Sequence, residues 1–90
     1  MSTIHVKTET GFECDVDENI GNDFEVLDYL SQIQIKQNPL YYPLLVEKMI
    51  GPAGKAALTE HVRAGDGFVS DKDIGKEIAD IFNSIKGGKN

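Results

Sequence analysis

Ninety residues with a net charge of -6, an apolar fraction of 40% and a single cysteine leave room for one domain with one core and modest stability to spare. They exclude an internal disulfide, since Cys14 has no partner, and they offer no basic stripe for a nucleic-acid backbone. No apolar tract can span a bilayer, because the run from Pro43 to Val46 ends at Glu47, and MSTIHVK lacks the apolar centre of a secretory signal. The compartment expected is the cytoplasm.

The charge is uneven. Residues 1–35 hold eight acids against Lys7 alone, whereas residues 36–90 hold seven acids and eight bases. The N-terminal third is therefore an acidic face, expected to be solvated surface, with attraction of a basic partner as the alternative.

In chain order, Thr3 to Lys7 alternates, with Ile4 and Val6 on one side and His5 and Lys7 on the other. Phe12 to Asp17 alternates again, setting Phe12, Cys14 and Val16 against Glu13, Asp15 and Asp17. The loop Thr8-Glu9-Thr10-Gly11 between them predicts a β-hairpin, which needs helices to cover its apolar face. Cys14 reads as a small buried hydrophobe.

Asn22 is the expected N-cap of a first helix, with Glu25 at its third position and Phe24, Leu27, Leu30 and Ile33 as its stripe to about Lys36. Asn38-Pro39 starts a second helix, although Pro43 either distorts the first turn or moves the regular start toward itself. Gly51-Pro52 ends that helix. A third is expected from about Pro52 to Ala64, with Ala53, Ala57, Leu58 and Val62 as a thin stripe of small residues that implies close packing. After Gly65-Asp66-Gly67, Ser70 caps the last helix with Asp73 as its capping-box partner and Val69 stapled to Ile74. Ile74, Ile78, Ile81, Phe82 and Ile85 form its apolar face, with Lys76 and Asp80 a turn apart on the other.

The fold expected is thus mostly α (α+β): one domain over residues 1–90, with a hairpin in 1–18, about four short helices in 22–86 and a frayed tail in 87–90. The helices pack around the segment 38–51, NPLYYPLLVEKMIG, whose Leu40, Leu44 and Leu45 line one side. The core expected is Ile4, Val6, Phe12, Leu27, Leu30, Leu44, Ile78 and Phe82.

No catalytic, metal or cofactor site is expected. Asp15, Asp17 and Asn19 open like a calcium loop, but Ile20 stands where glycine is required and Val26 where the bidentate glutamate is required. Gly54-Lys55 ends like a phosphate loop, but Ala56 replaces the hydroxyl residue and Met49 the first glycine. His5 and His61 have no cysteine cluster, and Cys14 has no cleft or oxyanion donors. Binding is the remaining class. Because adjacent residues cannot share one helix face, Tyr41 and Tyr42 imply that one ring lies near the surface. Tyr41, Tyr42, Leu45 and Met49 are the candidate partner-binding residues.

The succession TGFECDVDEN, DFEVLDYLSQ, NPLYYPLLVEKMIG, KAALTEHVR and DGFVSDKDIGKEIADIF, running nearly end to end, resembles the small tail assembly chaperones of long-tailed bacteriophages of Gram-positive hosts. The resemblance implies a protein that works in the host cytoplasm during assembly and is absent from the mature virion. Its implied partners are the long, aggregation-prone tape measure protein, which it keeps soluble, and the tail-tube subunits it helps to gather. Self-association through the same apolar surface is expected when the client is absent. The alternative is a small acidic interaction module, an antitoxin or an anti-host phage inhibitor, occupying a basic site on its partner.

Overall fold

The computed structural model describes residues 2–87. Strands β1 (Thr3–Lys7) and β2 (Glu13–Asp17) pair antiparallel, with Ile4 opposite Val16 and Val6 opposite Cys14. Period two therefore sends those four side chains inward, and Val6 and Val16 are fully buried. Cys14 is half-buried against the core, and burial pushes its thiol above the ordinary range, which leaves it a poor nucleophile. The connecting loop closes with the Thr8 N–H donating to the Phe12 carbonyl at 2.8 Å, and Gly11 takes a φ of 96°, a conformation that favours glycine.

A 3-10 turn at Ile20–Asn22 leads into α1 (Phe24–Gln34). The N-cap is Asp23 rather than Asn22: its carboxylate accepts from the backbone N–H groups of Glu25 at 2.9 Å and Val26 at 3.3 Å. The register shifts by one because the 3-10 turn uses Asn22 as its last residue. An ionised side chain at this site also suits the positive end of the helix.

The chain then enters a 3-10 turn at Pro39–Tyr41, capped by the Asn38 side chain, before α2 (Tyr42–Asp66) begins. Pro43 thus falls in the first turn of α2, where no N–H is needed. Beyond it the two helices expected on either side of Gly51-Pro52 form one element, kinked at Gly51, whose φ of 78° and ψ of 171° are not helical. Among the described residues three α-helices follow the hairpin in place of about four. At the kink the turns are tight, a Cβ on Gly54 falling 2.8 Å from Ile50 Cβ, but the close packing expected of the small-residue stripe is not formed by its alanines. Ala53 and Ala57 are exposed, and Leu58 and Val62 alone carry the buried stripe of this half.

The last helix, α3 (Asp71–Gly87), starts where expected, the Asp73 N–H donating to Ser70 Oγ at 3.0 Å. Gly87 closes α3, and residues 88–90 of the expected tail lie outside the described residues. Asp80 does not pair with Lys76 but accepts the N–H of Glu9 from the hairpin tip at 3.1 Å.

One hydrophobic cluster joins these elements, with Leu45, Leu58, Ile81, Val6, Val16 and Val26 as its fully buried members. Val6, Phe12 and Ile78 are buried as expected, and Ile4, Leu30 and Phe82 are half-buried against them. Leu27 and Leu44 are not core residues, being 46% and 51% exposed. In both helices the residue next door, Val26 or Leu45, points inward instead. Each helix has an apolar stripe wider than the face its neighbours cover, so packing chooses which edge of the stripe is buried. No helix among the described residues is long and apolar enough to cross a membrane.

Candidate protein-binding surface

Helix α2 packs on α1 and on α3, and these two outer helices make little close contact with each other. The space between them is an apolar groove of about 340 Å³. Leu27, Leu30 and Ile33 form its α1 wall, Ile78 and Phe82 its α3 wall, and Leu45 its floor. It exists because α1 offers an apolar edge, led by half-exposed Leu27, that the other helices leave open.

The four candidate contact residues do not form one exposed surface. Leu45 and Met49 face the core, at 0% and 5% exposure. The exposed apolar side chains of their segment are Leu40 and Leu44. Tyr41 is half-buried and tilts onto Tyr29 with ring centroids 5.8 Å apart. Tyr42 is half-buried, lines the groove beside Leu45, and reaches α3 so closely that a Cβ on Gly75 would lie 3.0 Å from its hydroxyl oxygen. On its other side Tyr42 borders a second hollow of about 280 Å³ with Pro39, Val46, Val69 and Ile74. The structure therefore brings Tyr42 and Leu45 together at the groove and leaves Tyr41 and Met49 outside it. Leu27, Leu30 and Phe82 were read as core, and Ile33 as part of the α1 stripe. The sequence signal of their accessibility is the width of the α1 stripe, which also includes Val26 and Tyr29.

The N-terminal part of the chain is acidic: residues 8–35 hold eight acids and no Lys or Arg. Some of this charge is compensated. Lys48 pairs with Glu25 and Asp23, which hold its ammonium charged to higher pH than usual. On the outer face of the hairpin, His5 lies between Glu13 (Nε2 to Oε1, 2.7 Å) and Asp15 (Nδ1 to Oδ1, 2.8 Å). The hydrogen bond to Glu13, and then that to Asp15, raises the His5 pKa above its ordinary 6.5, and His5 in turn lowers the Glu13 pKa below 4.5. The raised histidine contributes stability that is complete below 6.5 and fades as pH rises through its folded value. The lowered carboxylate contributes above 4.5 and fades as pH falls through its own. The difference in Tm between wild type and His5→Gln is thus expected to be widest between about pH 4.5 and 6.5 and to close toward pH 9. A difference that stays flat from pH 5 to 9 would show that the pair adds nothing to stability.

The hairpin tip is fastened to both long helices. The Thr10 hydroxyl donates to Glu77 Oε2 at 2.7 Å and lies 2.9 Å from His61 Nε2 and 3.2 Å from the Thr8 hydroxyl. One donor and two lone pairs satisfy all three contacts if the Nε2–H of His61 and the hydroxyl of Thr8 donate. Glu77 is 3% exposed and its Oε1 has no partner among the described residues. His61 also tilts against Phe12, with ring centroids 5.5 Å apart. This cluster positions the hairpin. Among the described residues no three His, Cys, Asp or Glu side chains gather as a metal site.

Comparison of the chain with protein-family models, curated proteins and solved structures gives no match.

Proposed function

We propose that this protein is a tail assembly chaperone of a long-tailed phage, acting in the host cytoplasm by binding the tape measure protein, keeping it soluble and helping tail-tube subunits gather on it. The observation that carries the reading is the apolar groove between α1 and α3 on an otherwise acidic protein. An extended, helix-rich client presents apolar stripes that a groove of this kind covers, and the surrounding negative charge keeps the complex in solution. The end-to-end resemblance to such chaperones adds to the same reading. No chemistry is assigned to it: the work is binding alone. With no client present, the groove and the exposed Leu40 and Leu44 are surfaces for self-association.

Co-expression with a tape measure fragment tests the proposal. Leu27→Glu puts a charge on the groove wall at a half-exposed site, so its Tm is expected to stay within about 4 °C of wild type. Its hold on the fragment is expected to weaken by about 2 kcal/mol, roughly thirtyfold, leaving the fragment in the pellet. Tyr41→Ala, outside the groove, is expected to keep the fragment soluble. If Leu27→Glu solubilises the fragment as well as wild type does, the groove is not the client seat. If binding instead collapses between 50 mM and 500 mM salt for wild type, the acidic inhibitor reading takes its place.

A further inference from the structure

The hairpin offers a second surface, independent of the groove. In the register of β1 and β2, the Thr8 N–H donates to the Phe12 carbonyl at 2.8 Å and the Glu18 N–H to the Ser2 carbonyl at 3.1 Å. Bonded and non-bonded pairs alternate along an antiparallel ladder, so the even-numbered residues are the ones that bond across the hairpin. The backbone groups of Thr3, His5 and Lys7 on β1, and of Glu13, Asp15 and Asp17 on β2, therefore point away from the other strand. They bond to nothing among the described residues. An unpaired row of this kind is a template for one more strand. The two edges differ in charge. All three side chains beside the β2 edge are acids, and those of Glu13 and Asp15 keep 53% and 67% of their surface in solvent. Their cations stand on the far side, on β1, where His5 lies between Glu13 and Asp15 and Lys7 is opposite Glu13. Asp17 accepts only the Asn19 N–H. A second copy does not suit this edge. Pairing β2 antiparallel with another β2 sets acid against acid at every outward position, and pairing it with another copy's β1 repeats without closing.

We propose that the free edge of β2 accepts, as an added antiparallel strand, an extended segment of a partner protein with Lys or Arg at alternate positions. Hydrogen bonds to the backbone of Glu13, Asp15 and Asp17 hold the segment, and its basic side chains fall on the outer face opposite those acids. Its intervening side chains turn inward beside half-buried Cys14, where small apolar groups fit. Backbone pairing supplies the affinity and the charges select the partner.

Four short peptides test this by NMR-detected amide hydrogen exchange of the full-length chain. The first alternates Lys and Val, and the second alternates Glu and Val. The third and fourth repeat the first with methyl groups on the backbone nitrogens of the lysines or of the valines. The Lys–Val peptide is expected to slow exchange at Glu13, Asp15 and Asp17 and to leave Thr3, His5 and Lys7 unchanged. The Glu–Val peptide is expected to bind about tenfold more weakly at low salt, with the gap narrowing as salt rises. In antiparallel pairing the lysine N–H groups face β2 and the valine N–H groups face away, so methylation of the lysines is expected to abolish protection and methylation of the valines to preserve it. The double variant Glu13→Lys/Asp15→Lys is expected to reverse the preference between the first two peptides, while the methylation arms use the wild-type chain and do not depend on how that variant folds. Leu27→Glu is expected to change none of these results, which separates this edge from the groove. Equal binding of the Lys and Glu peptides overturns the charge selection. Protection at Thr3, His5 and Lys7 instead, the opposite response to methylation, or no protection by the Lys–Val peptide at millimolar concentration overturns the added strand on β2.

Discussion

Leu45→Ala is expected to remove about 3 kcal/mol of stability, a large part of the roughly 5–15 kcal/mol that holds a domain of this kind folded. Leu45 is 0% exposed and stands where α1, α2 and α3 converge, under the groove. Truncation there loses the transfer energy of the deleted carbons and leaves a cavity that three helices cannot all close together. The adjacent Leu44→Ala is the control, since Leu44 keeps half of its surface in water and its loss is expected to cost less than about 1 kcal/mol. Urea unfolding of both variants measures the contrast, with the slope unchanged if the unfolded chains are alike. A larger loss for Leu44→Ala than for Leu45→Ala would mean that α2 is turned the other way in its socket.

Gly51→Ala is expected to cost about 2 kcal/mol and to lower Tm by about 10 °C. At φ 78° and ψ 171°, Gly51 occupies a region of backbone space that is essentially closed to L-residues bearing a Cβ. Pro52 keeps it there, because a proline disfavours the helical conformation in the residue before it. Nothing lies within 4 Å of the position a Cβ would take, so the cost is conformational and owes nothing to crowding. D-alanine at the same position, introduced by chemical synthesis, prefers this region and is expected to preserve stability. Thermal unfolding of the two variants separates the causes: equal Tm values for L- and D-alanine would mean that the kink does not depend on this residue's backbone.

The features legible in the sequence are those that a few neighbouring residues enforce by themselves. Alternation at Ile4, Val6, Cys14 and Val16 settled the inner face of the hairpin, because a one-residue slip reverses every side chain. Ser70 and Asp73 marked the start of α3, and Gly51-Pro52 marked the break in α2, since caps and proline geometry are local. The candidate site was legible only in its neighbourhood. Tyr42 and Leu45 do meet at the groove, but its walls include Leu27, Leu30 and Phe82, which periodicity alone reads as core. Periodicity reports that a helix has an apolar stripe without saying how much of it a neighbour covers. The choices of Val26 over Leu27 and of Leu45 over Leu44 were made by tertiary packing, when α2 settled between α1 and α3 and left those two apart. The same docking buried Glu77 in α3 and brought Thr10 to it from 67 residues away, a contact that no local pattern encodes.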